Sequence, residues 1–576
     1  MKKFLFTFIF TLVAASLFSQ WSTNPAVNNP VTSLQGNQKN VTSCPDGAGG
    51  IIMSWEDNSG GSNKVMAQKI NIFGQTMWAE GGIGICSAMG DQLLPSICSD
   101  AAGGAIVYWI DHRAGITSYD YYAQRIRTDG LLMWDANGVK VNNLYVTGTI
   151  YRQKCITAEA GASIIAWSNS DSLESGLLSQ KLDAYGVKVW NPVGVFISHD
   201  AVFNFDLCLD GTTGAYYTWS EIDATESPKL NLYAQHLNTS GTALWNNKKT
   251  VSSEHGSQYD PAMCEDQNGG FIVTWLDNRV SFYNPPTNET DVFAAHFDTS
   301  GTNLWSSNGA AVCTEIHDQV SPFCISDLHG GAHIFWLDSR YASINGYAIY
   351  GQNINYNGVQ RWTSGGKKIA DKVDFTSTAD GRFSPQLAGA DALGGAIVCW
   401  TGYSDAALTQ YGLLAQKIDY YGVIQWDPNG IIVSSDMGKS GPTLTFDGGS
   451  GGCTIAWTDD RQGSLDVYAQ HVKSTAGLGN YRPKPIDKVK TDMVRQNYPN
   501  PFNPTTNIAY SLVNDANISI RIFDMSGREL EVLVDGFVTA GDHSVTWNAN
   551  KYASGTYFYK FTNGNKVEVK KMFLVK

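Results

Sequence analysis

Apolar residues in this chain come in short runs separated by turns rich in Gly, Asp and Asn. The pattern is clearest between Leu94 and Val141. Pro95-Ser96-Ile97-Cys98 reads as a short strand, Ser99 to Gly104 as a polar turn, and Ala105-Ile106-Val107-Tyr108-Trp109 as a second strand. Tyr121 to Ile126 alternates in polarity as a third strand. Thr128-Asp129-Gly130 then turns the chain into Leu131-Leu132-Met133-Trp134, and Gly138 to Val141 continues that edge. Period-two alternation broken by turn residues predicts antiparallel strands. Four strands per copy make the blade of a β-propeller.

The unit recurs along the chain. Of 17 tryptophans, one series is Trp55, Trp109, Trp167, Trp219, Trp275, Trp336, Trp400 and Trp457, at spacings of 52 to 64 residues. A second series interleaves with it: Trp21, Trp78, Trp134, Trp190, Trp245, Trp305, Trp362 and Trp426. A period that long marks a repeat architecture. The third strand carries Gln at positions 68, 124, 180, 235, 352, 416 and 470, with Ala295 in the fifth copy. In seven copies the second tryptophan follows that position by ten residues, so the hairpin length is constant and its register fixed. The stretch from the first tryptophan to that position varies from 13 to 20 residues, which puts insertions, and expected ligand contacts, on one face. Residues such as 281–290 and 341–346 belong to it. The fold class expected is all-β: an eight-bladed β-propeller, then a small Ig-like β-sandwich. The last copy lacks its second tryptophan, so Trp21 and Pro25-Ala26-Val27 are expected to complete the eighth blade and leave no exposed sheet edge. Tyr481 is the rival for that place.

Charged residues are 16% of the chain, aromatics 12%, and the formal charge is −13, which speaks against nucleic acid as a partner. Lys2 and Lys3, the apolar stretch from Phe4 to Phe18 and small residues up to Ser19 read as a secretory signal over residues 1–19. Nothing after it reaches eighteen apolar residues, so no transmembrane segment is expected in the mature chain. Six of the ten cysteines (Cys44, Cys98, Cys155, Cys208, Cys264 and Cys324) stand eleven or twelve residues before a first-series tryptophan. One cysteine per repeat at one place predicts free, buried thiols used as small hydrophobes.

A Trp-x-Asp-x-Arg motif ends the second strand at Asp111 and Arg113, Asp277 and Arg279, Asp338 and Arg340, and Asp459 and Arg461. Residues two apart on a strand share a face, so each Asp and Arg should pair with each other or with the next blade. Asp57-Asn58, Asn169, Glu221 and Gly402 break any continuous ring of charge. These pairs, with Trp21, Trp55, Trp109, Trp134, Trp275, Trp336 and Trp457, are expected to be structural. The hairpin faintly resembles the tryptophan-docking motif of eight-bladed quinoprotein dehydrogenases at Ala123, Gly130 and Trp134. That resemblance implies tryptophans packed between blades, not a bound cofactor. No catalytic, cofactor or metal-ligating set is expected. Calcium suits oxygen-rich turns such as Asp266 to Gly270, but turn formation is the commoner use of such residues.

From Ser474 the repeat ends, and residues 474–495 carry Pro483, Pro485 and five Lys or Arg, as a linker does. Propeller residues are thus 20–473. Residues 496–576 hold short strands and Gly turns. They open on Tyr498-Pro499-Asn500-Pro501-Phe502-Asn503-Pro504, continue through Gly527, Gly541, Gly555 and Tyr557, and end on a basic segment with Lys571 and Lys576. This ordered set closely resembles the type A C-terminal sorting domain of type IX secretion cargo. The resemblance implies recognition by the outer-membrane translocon and delivery to the cell surface or the medium. The function expected is an exported propeller that binds a glycan or a protein on one face. A polysaccharide-active or other hydrolase, with carboxylates gathered at the channel, is the second reading. A structural surface-layer or matrix protein is the third.

Overall fold

The computed structural model describes residues 21–575 apart from 33, 116–118, 143–151, 171–174, 224–228, 280–288, 341–346, 374–385, 389–393, 405–410, 436–437, 448–450, 479–492, 495–496, 498–499, 501, 513–515, 540 and 565. The expected signal segment 1–19 lies outside the described residues, as do most of 281–290, all of 341–346, and Tyr481. The chain divides into two compact units, Met1–Tyr481 and Arg482–Lys576.

The first unit is the propeller. Its first blade has strands Gln38–Pro45, Ile51–Asp57, Lys64–Ile70 and Ile83–Gly84, each antiparallel to the next. The same order recurs over 92–140, 153–198, 202–252 and 258–313. The sixth blade, 319–373, and the seventh, 386–435, are joined into one sheet by the single pairing of Val373 with Gly402. The eighth has Lys439–Phe446, Cys453–Asp459 and Asp466–Val472, and its outer strand is Asn29–Pro30 from the other end of the chain. Second strands are buried along their whole length in five blades, for instance Ile51–Asp57 and Cys453–Asp459, and up to the last residue in Ala215–Ile222 and Ala396–Tyr403. That explains why they read as continuous apolar runs rather than alternating ones.

All first-series tryptophans are 1% exposed or less. They need room that only Gly provides: at Gly138 (φ +82°) an added Cβ would stand 2.4 Å from Trp109 Cη2. Second-series tryptophans lock blade to blade. Trp78 Nε1 donates to Thr128 O of the next blade at 3.2 Å, and Trp134, Trp190, Trp245, Trp305, Trp362 and Trp426 donate likewise to Ala184, Thr239, Thr299, Tyr356, Tyr420 and Ser474. Each docks on a left-handed turn glycine up to the seventh blade. Gly130 (φ +86°) would put a Cβ 2.9 Å from Trp78 Cδ1.

The Gln of the third strand holds the hairpin in register. Gln68 Oε1 accepts from Trp78 N at 3.0 Å, and its Nε2 donates to Ala79 O at 2.8 Å. Gln124, Gln180, Gln352 and Gln416 repeat both bonds. Ala295 lacks the amide, and Asn303 supplies it from the opposite strand. Its Oδ1 accepts from Trp305 N at 3.0 Å and its Nδ2 donates to Ser306 O at 2.9 Å. The two backbone groups are satisfied either way.

Closure follows the same grammar. Trp21 is 2% exposed and donates to Ile72 O of the first blade at 2.9 Å. Gln470 donates to Ser22 O, the residue after Trp21, at 2.5 Å. Asn29 pairs with Ala469 and Pro30 with Tyr468. Trp21 therefore holds the eighth second-series place. The propeller also runs past residue 473: Lys473 N donates to Gly477 O at 2.9 Å, and Val472 pairs with Leu478.

The second unit is a β-sandwich of one three-stranded and one four-stranded sheet. Thr505–Leu512 pairs with Gly541–Asn548 in the first; Ala516–Phe523, Glu529–Val538, Gly555–Asn563 and Lys566–Leu574 form the second. Ile508, Ile520, Trp547, Tyr559, Phe561 and Met572 meet in its core. Met493–Val494, inside the stretch expected to be linker, adds a short strand to the first sheet. Val494 is 1% exposed in that core, an apolar contact too short for periodicity to signal.

Candidate functional site

The Trp-x-Asp-x-Arg motif builds one compact lock. Trp109 Nε1 donates to Asp111 Oδ2 at 2.7 Å, and Arg113 binds the same carboxylate through Nε at 2.8 Å and Nη2 at 2.7 Å. The Arg113 guanidinium lies 3.6 Å over the Tyr122 ring, and Nη2 also reaches Cys86 Sγ at 3.3 Å in the preceding blade. Arg279 repeats this with Asp277, Phe293 and Ser252; Arg340 with Asp338, Tyr350 and Cys313; Arg461 with Asp459, Tyr468 and Ser434. The reach is to the preceding blade, not the next, because the Arg follows the second strand toward the end where the previous blade leaves. In the fourth blade Glu221 takes the Asp place, and Lys248 pairs with it, its Nζ 4.1 Å over the Tyr233 ring.

Sequence reasoning missed a second ring of contacts. The residue after the Gln position is Lys69, Arg125, Lys181, His236, His296, Asn353, Lys417 or His471. Most face the Asp of their own blade's first turn: Lys69 meets Asp46 at 3.2 Å, Arg125 meets Asp100 at 2.9 Å, and His296 meets Asp266 at 2.8 Å. Several also reach the next blade, as Lys69 Nζ does to Gly103 O at 3.0 Å. The sequence signal was a cation or His after the Gln place in every copy but one.

The first strands stand around the propeller axis, and each of several carries a bulge with a left-handed residue: Asn40, Leu94, Asp260 and Ser321, at φ between 48° and 56°. The bulge at Asp260 brings polar groups from three blades together. Asn204 Nδ2 donates to Asp260 Oδ1 at 2.7 Å, and Arg152 Nη2 donates to the same oxygen at 3.4 Å. Burial holds the Asp260 carboxyl above the ordinary aspartate range, with Arg152 pulling the other way. Lys154 pairs with Asp206, whose other oxygen accepts from Met263 N at 2.8 Å. Glu56 accepts from Asn40 Nδ2 and Leu94 N, both at 2.7 Å. All ten cysteines are free and buried. Among the described residues no group of His, Cys, Asp and Glu has the arrangement to hold a metal ion.

In the sandwich, Tyr498, Pro499, Pro501 and Lys576 lie outside the described residues. The rest of the opening segment clasps the end of the last strand. Phe502 N donates to Phe573 O at 2.9 Å, Val575 N to Phe502 O at 3.0 Å, and Phe573 N to Asn500 Oδ1 at 2.8 Å. Pro504 O accepts from Ala549 N at 2.9 Å, while Asn503 is exposed. Gly527 turns the chain with its N–H on Asp524 O, Gly541 and Gly555 begin strands, and Tyr557 OH donates to Ala553 O at 2.7 Å. Lys571 Nζ lies 4.9 Å from the Phe573 ring.

Residues 496–576 match the family described as secretion system C-terminal sorting domain. No curated protein matches the chain. Among solved structures, a puromycin hydrolase aligns at 11% identity and a TM-score of 0.40, over 74% of this chain and 59% of its own. PorZ, a surface component of the type IX secretion system of Porphyromonas gingivalis, aligns at 11% identity and 0.22, over 91% of this chain and 74% of its own. An α-L-arabinofuranosidase of Fusarium graminearum, solved with arabinobiose, aligns at 12% and 0.34, over 57% and 95%. This chain thus spans less than two thirds of the hydrolase. Such distant likenesses assign no activity. An all-β propeller followed by a sorting domain is the plan of an exported cargo protein. This chain is type IX secretion cargo, delivered to the cell surface or the extracellular space.

Proposed function

We propose that the delivered propeller is a binding module for a glycan or a protein, not a hydrolase. The observation that carries this is the state of the carboxylates around the axis. Asp206 is engaged by Lys154 and a backbone N–H, Asp260 by Arg152 and Asn204, and Glu56 by Asn40, Leu94 N and, at 3.5 Å, Lys39. Glycoside hydrolysis calls for one carboxylic acid and one available carboxylate on either side of the scissile bond. Carboxylates already bound to cations and amides suit a polar recognition surface instead. Calcium is not needed for this reading.

The test sets a glycan array against a polysaccharide-hydrolase panel on one preparation of the full chain. Binding without turnover is expected. Release of reducing sugar that disappears in Asp260→Asn would overturn the reading in favour of the hydrolase.

A further inference from the structure

Two departures from the repeat, and one outer turn with two adjacent tyrosines, lie at the junction of the sixth and seventh blades. The first turn of the sixth blade is Asp327-Leu328-His329, where earlier blades place Gly, Ala, Gln, Thr or Asn after the acidic residue. Leu328 is held at φ 61° and is 43% exposed, a strained place for a large apolar side chain. Arg361 stands before Trp362, where five earlier blades have Met, Val or Leu. The outer turn of the seventh blade carries Tyr420-Tyr421, and Tyr421 is 78% exposed.

The geometry is that of a small aromatic platform. The Tyr420 ring is 4.7 Å from the His329 ring, 5.3 Å from Tyr421 and 4.9 Å from the Arg361 guanidinium. His333 meets its edge at 6.2 Å, and Trp362 Nε1 donates to Tyr420 O at 3.1 Å, so the base is fixed by the interblade lock. His329 Nδ1 lies 2.7 Å from Asp327 O. A carbonyl only accepts, so Nδ1 carries the proton and Nε2 of the neutral ring is an acceptor. An amphipathic aromatic face is thus flanked by a guanidinium donor and an imidazole acceptor.

We propose that this platform binds carbohydrate, with the C–H face of one pyranose ring on the exposed Tyr421, to which Tyr420 stands at 80°, and its edge hydroxyls on Arg361 and His329 Nε2. The proposal rests on the reading of the propeller as a binding module and gives that module a site and a ligand class. A paired donor and acceptor beside one small aromatic face matches the vicinal hydroxyls of a sugar. A protein hot spot of Tyr and Arg would instead be centred in a wider desolvated patch. The left-handed turn place is shared with Ala101 and Gln267, so it is the exposed apolar side chain of Leu328 that sets this turn apart.

The experiment is affinity electrophoresis and calorimetry of the full chain with laminarin, yeast mannan and alginate. At least one of these is expected to bind, with Tyr421→Ala weakening it at least tenfold. Leu328→Gly relieves the left-handed backbone, so it should keep or raise the melting temperature while also weakening binding. Carbohydrate binding unchanged in both variants would overturn the site but leave the binding-module reading standing. Absence of binding to all three would overturn the carbohydrate assignment. A purified protein partner lost with Tyr421→Ala, in a chain that binds no sugar, would overturn it in favour of a protein surface. Turnover lost in Asp260→Asn, by contrast, would fail the underlying reading itself.

Discussion

Removing residues 1–31, so that the chain begins at Thr32, should open the propeller. The loss can be worked from the contacts. Trp21 is 2% exposed, donates to Ile72 O, and stacks 6.2 Å from His471; truncating a buried aromatic to Ala costs about 3–5 kcal/mol. Asn28 donates to Val433 O at 2.9 Å and accepts from Ser434 Oγ at 2.6 Å, and Ser22 O accepts from Gln470. Net hydrogen bonds of about 1 kcal/mol each bring the total to roughly 6–8 kcal/mol. That is comparable with the whole stability of an ordinary domain, about 5–15 kcal/mol. The deletion also leaves Asp466–Val472 as an exposed edge, open to pairing with other chains. The assay is urea unfolding followed by tryptophan fluorescence, with size-exclusion chromatography for aggregation. A peptide of residues 21–32 added in trans should restore the midpoint, and the same peptide with Trp21→Ala should not. A shortened chain with the midpoint of a parent beginning at Gln20 would refute the closure.

Two further results are expected. Asn303→Ala should cost about 1 kcal/mol by freeing Trp305 N and Ser306 O, and Ala295→Gln should recover most of it in that background alone; a double-mutant cycle without coupling would sink the substitution of one amide for the other. Burial, with Asp277 opposite it and Glu289 near, pushes Asp291 up to about 7, far above its unfolded value. A raised carboxyl favours the fold while protonated, so this contribution is lost as pH climbs from about 4 to about 7. Asp291→Asn should therefore gain melting temperature relative to the parent between pH 5 and 8, and a pH-independent difference would count against it.

The chain determined its own architecture because the signals involved are local and repeated. Tryptophan spacing, the Gln-to-Trp interval and the period-two strands are set within one blade, where sequence distance and spatial distance agree. Trp21 was readable as the closing residue because it fills a gap in a series. The Asp-Arg pairs were readable because their members stand two apart on one strand. What each Arg touches beyond its Asp was not, since Cys86 and Cys313 come from the preceding blade. Asn303 standing in for a missing Gln was equally hidden: the amide comes from a different position and strand, and only the shared backbone partners reveal the equivalence. Val494 entered the sandwich core from a segment with no periodicity. The meeting of Asp260 with Arg152 and Asn204, and of Tyr420 with His329 and Arg361, joins residues from separate blades. Such contacts depend on how the blades are rotated about the axis, a quantity that no single repeat encodes and that only the packed ring decides.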